Sequence, residues 1–167
     1  MTAFNDRAIA EFRANDGLVV AWGSHLVLIH HRGSSGRERV NPAMSLRDGE
    51  DWLVVGSAMG APRDPSWAVD LRARPDATIE AVVDEHATTV PVRATELQGD
   101  ARAAAFERFV EVAPAFEAYQ ARASRLLPVI RLARRTPAAA PGWTGSPADA
   151  PGVGIGPDDP GRTITVR

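Results

Sequence analysis

Cysteine and lysine are both absent from the 167 residues, and tyrosine occurs once. Without cysteine there is no disulfide framework and no thiolate metal site, which fits a reducing compartment. Without lysine no Schiff-base amine is available to any mechanism, and all 19 basic residues are arginine. Together with the many alanines, that bias reads as the codon usage of a GC-rich genome. No apolar run approaches the roughly 18 residues of a membrane span. Met1 to Gly17 carries early charges and no long apolar core, so it is expected not to act as a signal peptide. A net charge of −2 and a pI near 6.1 argue against a general nucleic-acid binder. The expectation is a cytoplasmic chain with no nucleic-acid partner and no integral membrane segment. Peripheral membrane contact and a homodimer are left open.

What is present concentrates between His25 and Pro42. An apolar run, His25 to His30, feeds a loop from Arg32 to Arg39 that holds two glycines, two serines and three arginines. Glycines let backbone N–H groups approach a ligand, serines donate, and arginines supply fixed positive charge. The combination suits an anionic group such as a phosphate. The alternative is a polar hairpin turn with solvated arginines.

At this length one domain with a real core is expected. Thr2 to Ala14 reads as a helix stopped by Asn15-Asp16-Gly17. Six strands are predicted: Leu18 to Trp22, His25 to His30, Val40 to Leu46, Trp52 to Ser57, Thr78 to Val83 and Ala87 to Arg93. Pro42 places part of the third at an edge or bulge. The Leu53-Val54-Val55 run suggests burial on both faces of the fourth. Asp64-Pro65 suits the start of a helix carrying Trp67 and Leu71, which Arg74-Pro75 ends. A third helix, with Asp100 as its cap, lines up Phe106, Phe109, Val110 and Ala113. A fourth runs from Ala115 to Leu127. From Thr136 the composition turns to Pro, Ala, Gly and Asp, with too little apolar surface to offset ordering entropy. Residues 1–133 are thus expected to form the domain and 134–167 a disordered or loosely packed tail. Hairpin-linked strands without βαβ alternation point to a small barrel or α+β sheet.

Adjacent strand residues point to opposite faces, so His30 and His31 do not share an ion, and no metal is expected. Gly33-Ser34-Ser35-Gly36 lacks the spacing of a hydrolase nucleophile elbow.

Four segments taken in order add a family likeness. They are Glu11 to Gly17, Gly33 to Pro42, Ser57 through Pro65-Ser66-Trp67 to Leu71 and Pro75, and Tyr119-Gln120 with Arg125 and Pro128. The set resembles the deazaflavin-dependent nitroreductases, the quinone reductases that use coenzyme F-420 in actinobacteria. The likeness covers roughly residues 5 to 130. It implies a mainly β, α+β fold: a six-stranded split β-barrel, flavin-reductase-like, with flanking helices. It also implies an oxidoreductase that moves a hydride from reduced coenzyme F-420 to a quinone-like or nitroaromatic small molecule. By the same resemblance Ser35, Gly36, Arg37 and Arg39 match the phosphate loop. Ser57 matches a serine near the ring and substrate, and Pro65 and Trp67 a pair that shapes the cofactor groove. Arg32-Gly33-Ser34 stands where the family loop commonly carries Gly-Arg-Lys, so Ser34 takes the lysine's place and Arg32 and Arg37 are the cations left to replace its charge.

The departures are specific. Ser34 and Ala58 occupy positions of frequent lysines, Asp70 that of an asparagine, and Phe116 and Ala113 those of tyrosines. His30 and His31 replace threonines. At about 1–2 kcal/mol per charge-assisted contact, two lost cations weaken cofactor binding by roughly ten- to several-hundred-fold. Hydride transfer needs little acid–base machinery, so the protein's task is to position the cofactor and polarise the acceptor. Ser57 and Tyr119 are the candidate donors to an acceptor oxygen gaining charge. The alternatives are a non-catalytic binding protein on the same barrel, and FMN in place of the deazaflavin.

Overall fold

The computed structural model describes residues 3–136. Its strands are β1 (Leu26–Arg32), β2 (Glu38–Asp48), β3 (Asp51–Val55), β4 (Asp76–Val83), β5 (His86–Glu96) and β6 (Val129–Arg134). The helices are α1 (Ala3–Ala14), α2 (Ser66–Ala73), α3 (Gly99–Val112) and α4 (Ala115–Arg122). All strand pairs are antiparallel, and the order β1-β2-β3-β6-β5-β4 closes on itself as a barrel. No described helix is long and apolar enough to cross a membrane.

Alternation along the strands builds two apolar layers. Trp52 and Val54 of β3 join Val27, Ile29, Ile79 and Val92 inside the barrel, where Trp67 and Leu71 of α2 close one end. Leu53 and Val55 face the other way, onto Phe106, Phe109 and Phe116 of α3 and α4. The expected two-sided burial of this strand is therefore present. A third cluster seats Phe12 and Ile9 of α1 on Leu26 and Leu28.

The barrel is split along β2. Only Ser45–Asp48 pair with β3, whereas Glu38–Met44 have a partner strand on one side, β1. Pro42 sits in that open-edged half, where its missing N–H is tolerated.

Four elements differ from the sequence reading. Leu18 to Trp22 is not a strand. Val19 and Gly23 exchange backbone hydrogen bonds at 3.1 and 2.6 Å in a tight loop. No neighbouring strand pairs with it, and Val20 is 97% exposed. Its place in the barrel is taken by β6, which the sequence reading left unassigned. β6 is short and interrupted by arginines, and its apolar positions 129, 130 and 132 fit either periodicity. Pairing to β3 on one side and β5 on the other decides the matter. α4 ends at Arg122, short of Leu127, because Ala123 is already extended. α3 starts at Gly99 after Gln98, with no side-chain cap, so Asp100 lies in its first turn. The expected tail lies outside the described residues from 137 onward.

Candidate active site

The glycine–serine loop is shorter than its sequence suggested, since Arg32 ends β1 and Arg39 belongs to β2. The link between them is pinned by the Gly33 N–H donating to the Arg37 carbonyl at 3.3 Å and by the Gly36 N–H donating to the Gly33 carbonyl at 2.9 Å. Gly36 has φ +74°, a conformation that favours glycine. Ser34, Ser35, Gly36, Arg37 and Arg39 are all exposed. Arg32 pairs with Glu38 at 3.1 Å. Arg37 and Arg39 make no side-chain hydrogen bond or ion pair among the described residues.

Behind the loop lies a pair that the sequence did not connect. His31, paired in register with Arg39, donates its Nδ1–H to Asp70 Oδ2 at 2.7 Å, and its side chain is 1% exposed. The His31 Nε2 has no partner among the described residues. A Cβ on Gly33 would stand 3.8 Å from both the Asp70 carboxylate and the Arg39 guanidinium. Arg74 donates to the Arg32 and Gly33 carbonyls at 3.2 Å each. Two of the departures from the family pattern, at 31 and 70, therefore meet each other. On the opposite face of β1, His30 bridges Glu38 at 3.2 Å and Glu80 at 2.8 Å. The Arg13 guanidinium and then the His30 ring hold the Glu80 carboxyl below the usual carboxylate range.

At the other end of α2, β3 runs out into Gly56 and Ser57. The next three residues form a left-handed turn: Ala58 at φ 44°, Met59 at φ 54° and Gly60 at φ 82°. For alanine and methionine this costs about 1–3 kcal/mol each, and such strain persists only where surroundings fix it. The surroundings are arginines. Arg125 donates to the carbonyls of Gly56, Ala61, Arg63 and Ser57 at 3.1–3.3 Å and forms an ion pair with Asp64. Arg122 donates to the Met59 carbonyl at 3.2 Å. Gly60 lies so close to α4 that a Cβ would meet the Tyr119 carbonyl at 2.8 Å. Arg125 is set in turn by Gln120, whose Nε2 donates to the Arg125 carbonyl at 2.9 Å. Arg102 anchors Gln120 Oε1 and the Leu127 carbonyl from beneath. Burial pulls its guanidinium below the ordinary arginine range.

Ser57 accepts a hydrogen bond on Oγ from the Met59 N–H at 3.4 Å, which leaves its own O–H free to donate. Tyr119 is half-buried, edge-on to Phe116 with ring centroids 5.8 Å apart, and its hydroxyl has no partner among the described residues. Pro65 precedes α2 in extended conformation. Trp67 lies buried within the barrel core. The structure thus gathers Ser57, Pro65 and the α4 residues at one end of α2. Arg37, Arg39 and the serines lie at the other, near Asp70 and Arg74. Eight helical residues put about 12 Å between those ends. Sequence reasoning missed the clamping roles of Arg125, Gln120 and Arg102, although Gln120 and Arg125 stood in the quoted segments. Among the described residues no group of three or more metal-ligating side chains comes together.

The family described as F420H(2)-dependent quinone reductase matches residues 6–133. An F420H(2)-dependent quinone reductase of Mycobacterium tuberculosis, Rv1261c, is 33% identical over 116 residues, 65% of this chain and 73% of that protein. The solved structure of an F420-H2 dependent reductase, FDR-A, is 29% identical with TM-score 0.57, covering 65% of this chain and 93% of that one. A structure described as a domain-swapped dimer is also 29% identical, with TM-score 0.59 over 76% of this chain and 92% of its own.

Proposed function

The chain belongs to the F420H(2)-dependent quinone reductase family, and from that premise we propose how its own residues carry the reaction. It is an oxidoreductase that uses reduced coenzyme F-420 to reduce quinones. The cofactor, when bound, supplies the hydride.

The residues present fit an elongated, anionic partner. Arg37 and Arg39 are unpaired beside a tight glycine turn, as an anion cradle requires. About 12 Å away along α2, Ser57 keeps a free hydroxyl. Between them β2 leaves half of one edge open. We assign Arg37, Arg39, Ser35 and Gly36 to the phosphate and acidic tail, with Arg32 and Ser34 at the rim. We assign Ser57 to the acceptor oxygen, to which its O–H donates as charge develops. Tyr119 is a second donor from α4, and Pro65 and Trp67 form the groove's border and floor. The observation that carries this reading is the pair of unpaired arginines on an otherwise hydrogen-bonded loop.

A homodimer is the assembly we assign, on the likeness to the domain-swapped dimer, and light scattering of purified protein tests it. A cytoplasmic, reducing compartment suits a chain without cysteine.

The testing experiment is a titration with coenzyme F-420 and, in parallel, FMN, followed by tryptophan fluorescence. Deazaflavin binding with quinone turnover supports the reading. Preference for FMN moves the barrel to a flavin cofactor. Binding of deazaflavin without turnover of any quinone or nitroaromatic favours the non-catalytic alternative.

A further inference from the structure

Resting on the reading above, we propose that Met59 is the residue that contacts the acceptor and selects for quinones with an apolar substituent. Nothing in the fold accounts for a methionine at this position. Its backbone is left-handed, where glycine is the unstrained choice. Its side chain is 68% exposed and belongs to none of the three core clusters. The protein nevertheless fixes it, through Arg122 on its carbonyl and the Ser57 hydroxyl on its N–H. Those bonds tie Met59 to the serine assigned to the acceptor oxygen. A quinone whose oxygen meets Ser57 then lies two residues from a flexible, polarisable thioether, a side chain suited to apolar and aromatic surfaces of varied shape. Arg125 is the positioning residue for this arrangement, because it holds the carbonyls on both sides of the turn.

The test replaces Met59 by glycine, which relieves the backbone, and by leucine, which keeps an apolar side chain. Two benzoquinones are compared, one bearing a decyl chain and one with no alkyl chain, with reduced coenzyme F-420 as donor. For Met59→Gly the kcat/KM ratio of decyl to chain-free quinone is expected to fall about tenfold, while the melting temperature holds or rises and the cofactor Kd is unchanged. Met59→Leu is expected to restore most of the ratio. An unchanged ratio, an equal loss on both quinones, or a lower melting temperature for the glycine variant overturns the proposal. The same two quinones are also titrated against cofactor-free protein by tryptophan quenching. Lost discrimination in Met59→Gly supports the contact there and retained discrimination overturns it, even if the chain fails to bind coenzyme F-420. That failure would sink the functional reading alone.

Discussion

Two arginine-bearing segments stand at the two ends of α2, and they use their guanidinium groups in opposite ways. At the turn from Gly56 to Asp64, Arg125 and Arg122 spend their donors on five backbone carbonyls. At the Gly33–Arg39 loop, Arg37 and Arg39 spend theirs on no group of the described chain. One segment is strained and over-determined, as pre-organised positioning of a hydroxyl requires. The other is charged and unpaired, as capture of an anion requires. The difference shows that arginine content alone does not mark a ligand site. Whether the donors are already satisfied does.

The sharpest way to break this comparison is to remove the unpaired pair. Arg37→Ala together with Arg39→Ala is expected to raise the coenzyme F-420 Kd about a hundredfold, since each charge-assisted contact contributes about 1.5 kcal/mol. Denaturation stability is expected to move by less than about 0.5 kcal/mol, because neither side chain bonds to the protein. Chemical denaturation and fluorescence titration read the two effects separately. A stability loss with unchanged affinity would reverse the roles given to the two segments.

Arg125→Ala is expected to do the opposite. It leaves four carbonyls and Asp64 short of a partner and should cost about 2–3 kcal/mol of stability. Arg125→Lys should recover only part, since an ammonium cannot reproduce the planar fork. The cofactor Kd should change far less than in the loop variant. Urea denaturation of both variants checks this.

The sequence disclosed these two segments unequally, for a physical reason. The loop advertises itself through composition, because glycines, serines and arginines lie next to one another in the chain. The clamp is non-local: Arg125 reaches back 62 to 69 residues to its carbonyl partners, and carbonyls leave no mark in a sequence. The same limit explains the His31–Asp70 pair, 39 residues apart. Strand β6 was missed because its partners β3 and β5 decide its conformation, whereas local pattern placed β2 and β3 correctly. Pro42 foretold the open edge of β2, and hence the split in the barrel, because one missing N–H is a local fact. The left-handed turn at Ala58 and Met59 had no local signal, since neither residue type favours it.

The smallest expected effect separates the two segments by pH. The root of the loop is tied by groups that titrate: Glu80 receives Arg13 and His30, and Glu38 receives His30 and Arg32. Both carboxyls are held below their ordinary value of 4.5, Glu80 mainly by the Arg13 hydrogen bond and Glu38 mainly by that of His30. A depressed folded-state value means that the stabilisation is fully present above the ordinary value and is lost as pH falls through the folded one. Below about pH 4.5 the ties at the base of β1 and β2 should therefore weaken as the two carboxyls take up protons. Carbonyls do not titrate, so the bonds from Arg125 to the backbone carbonyls of Gly56, Ser57 and Ala61 should hold over the same range. Hydrogen exchange between pH 5 and pH 3, corrected for intrinsic rates, is expected to show protection falling at His30–Glu38 and remaining at Gly56–Ala61. In Glu80→Gln the pH dependence at the loop root should flatten while the turn is unaffected. Equal loss of protection at both segments would mean that they open as one unit, and the contrast between a fixed turn and a ligand-ready loop would not hold.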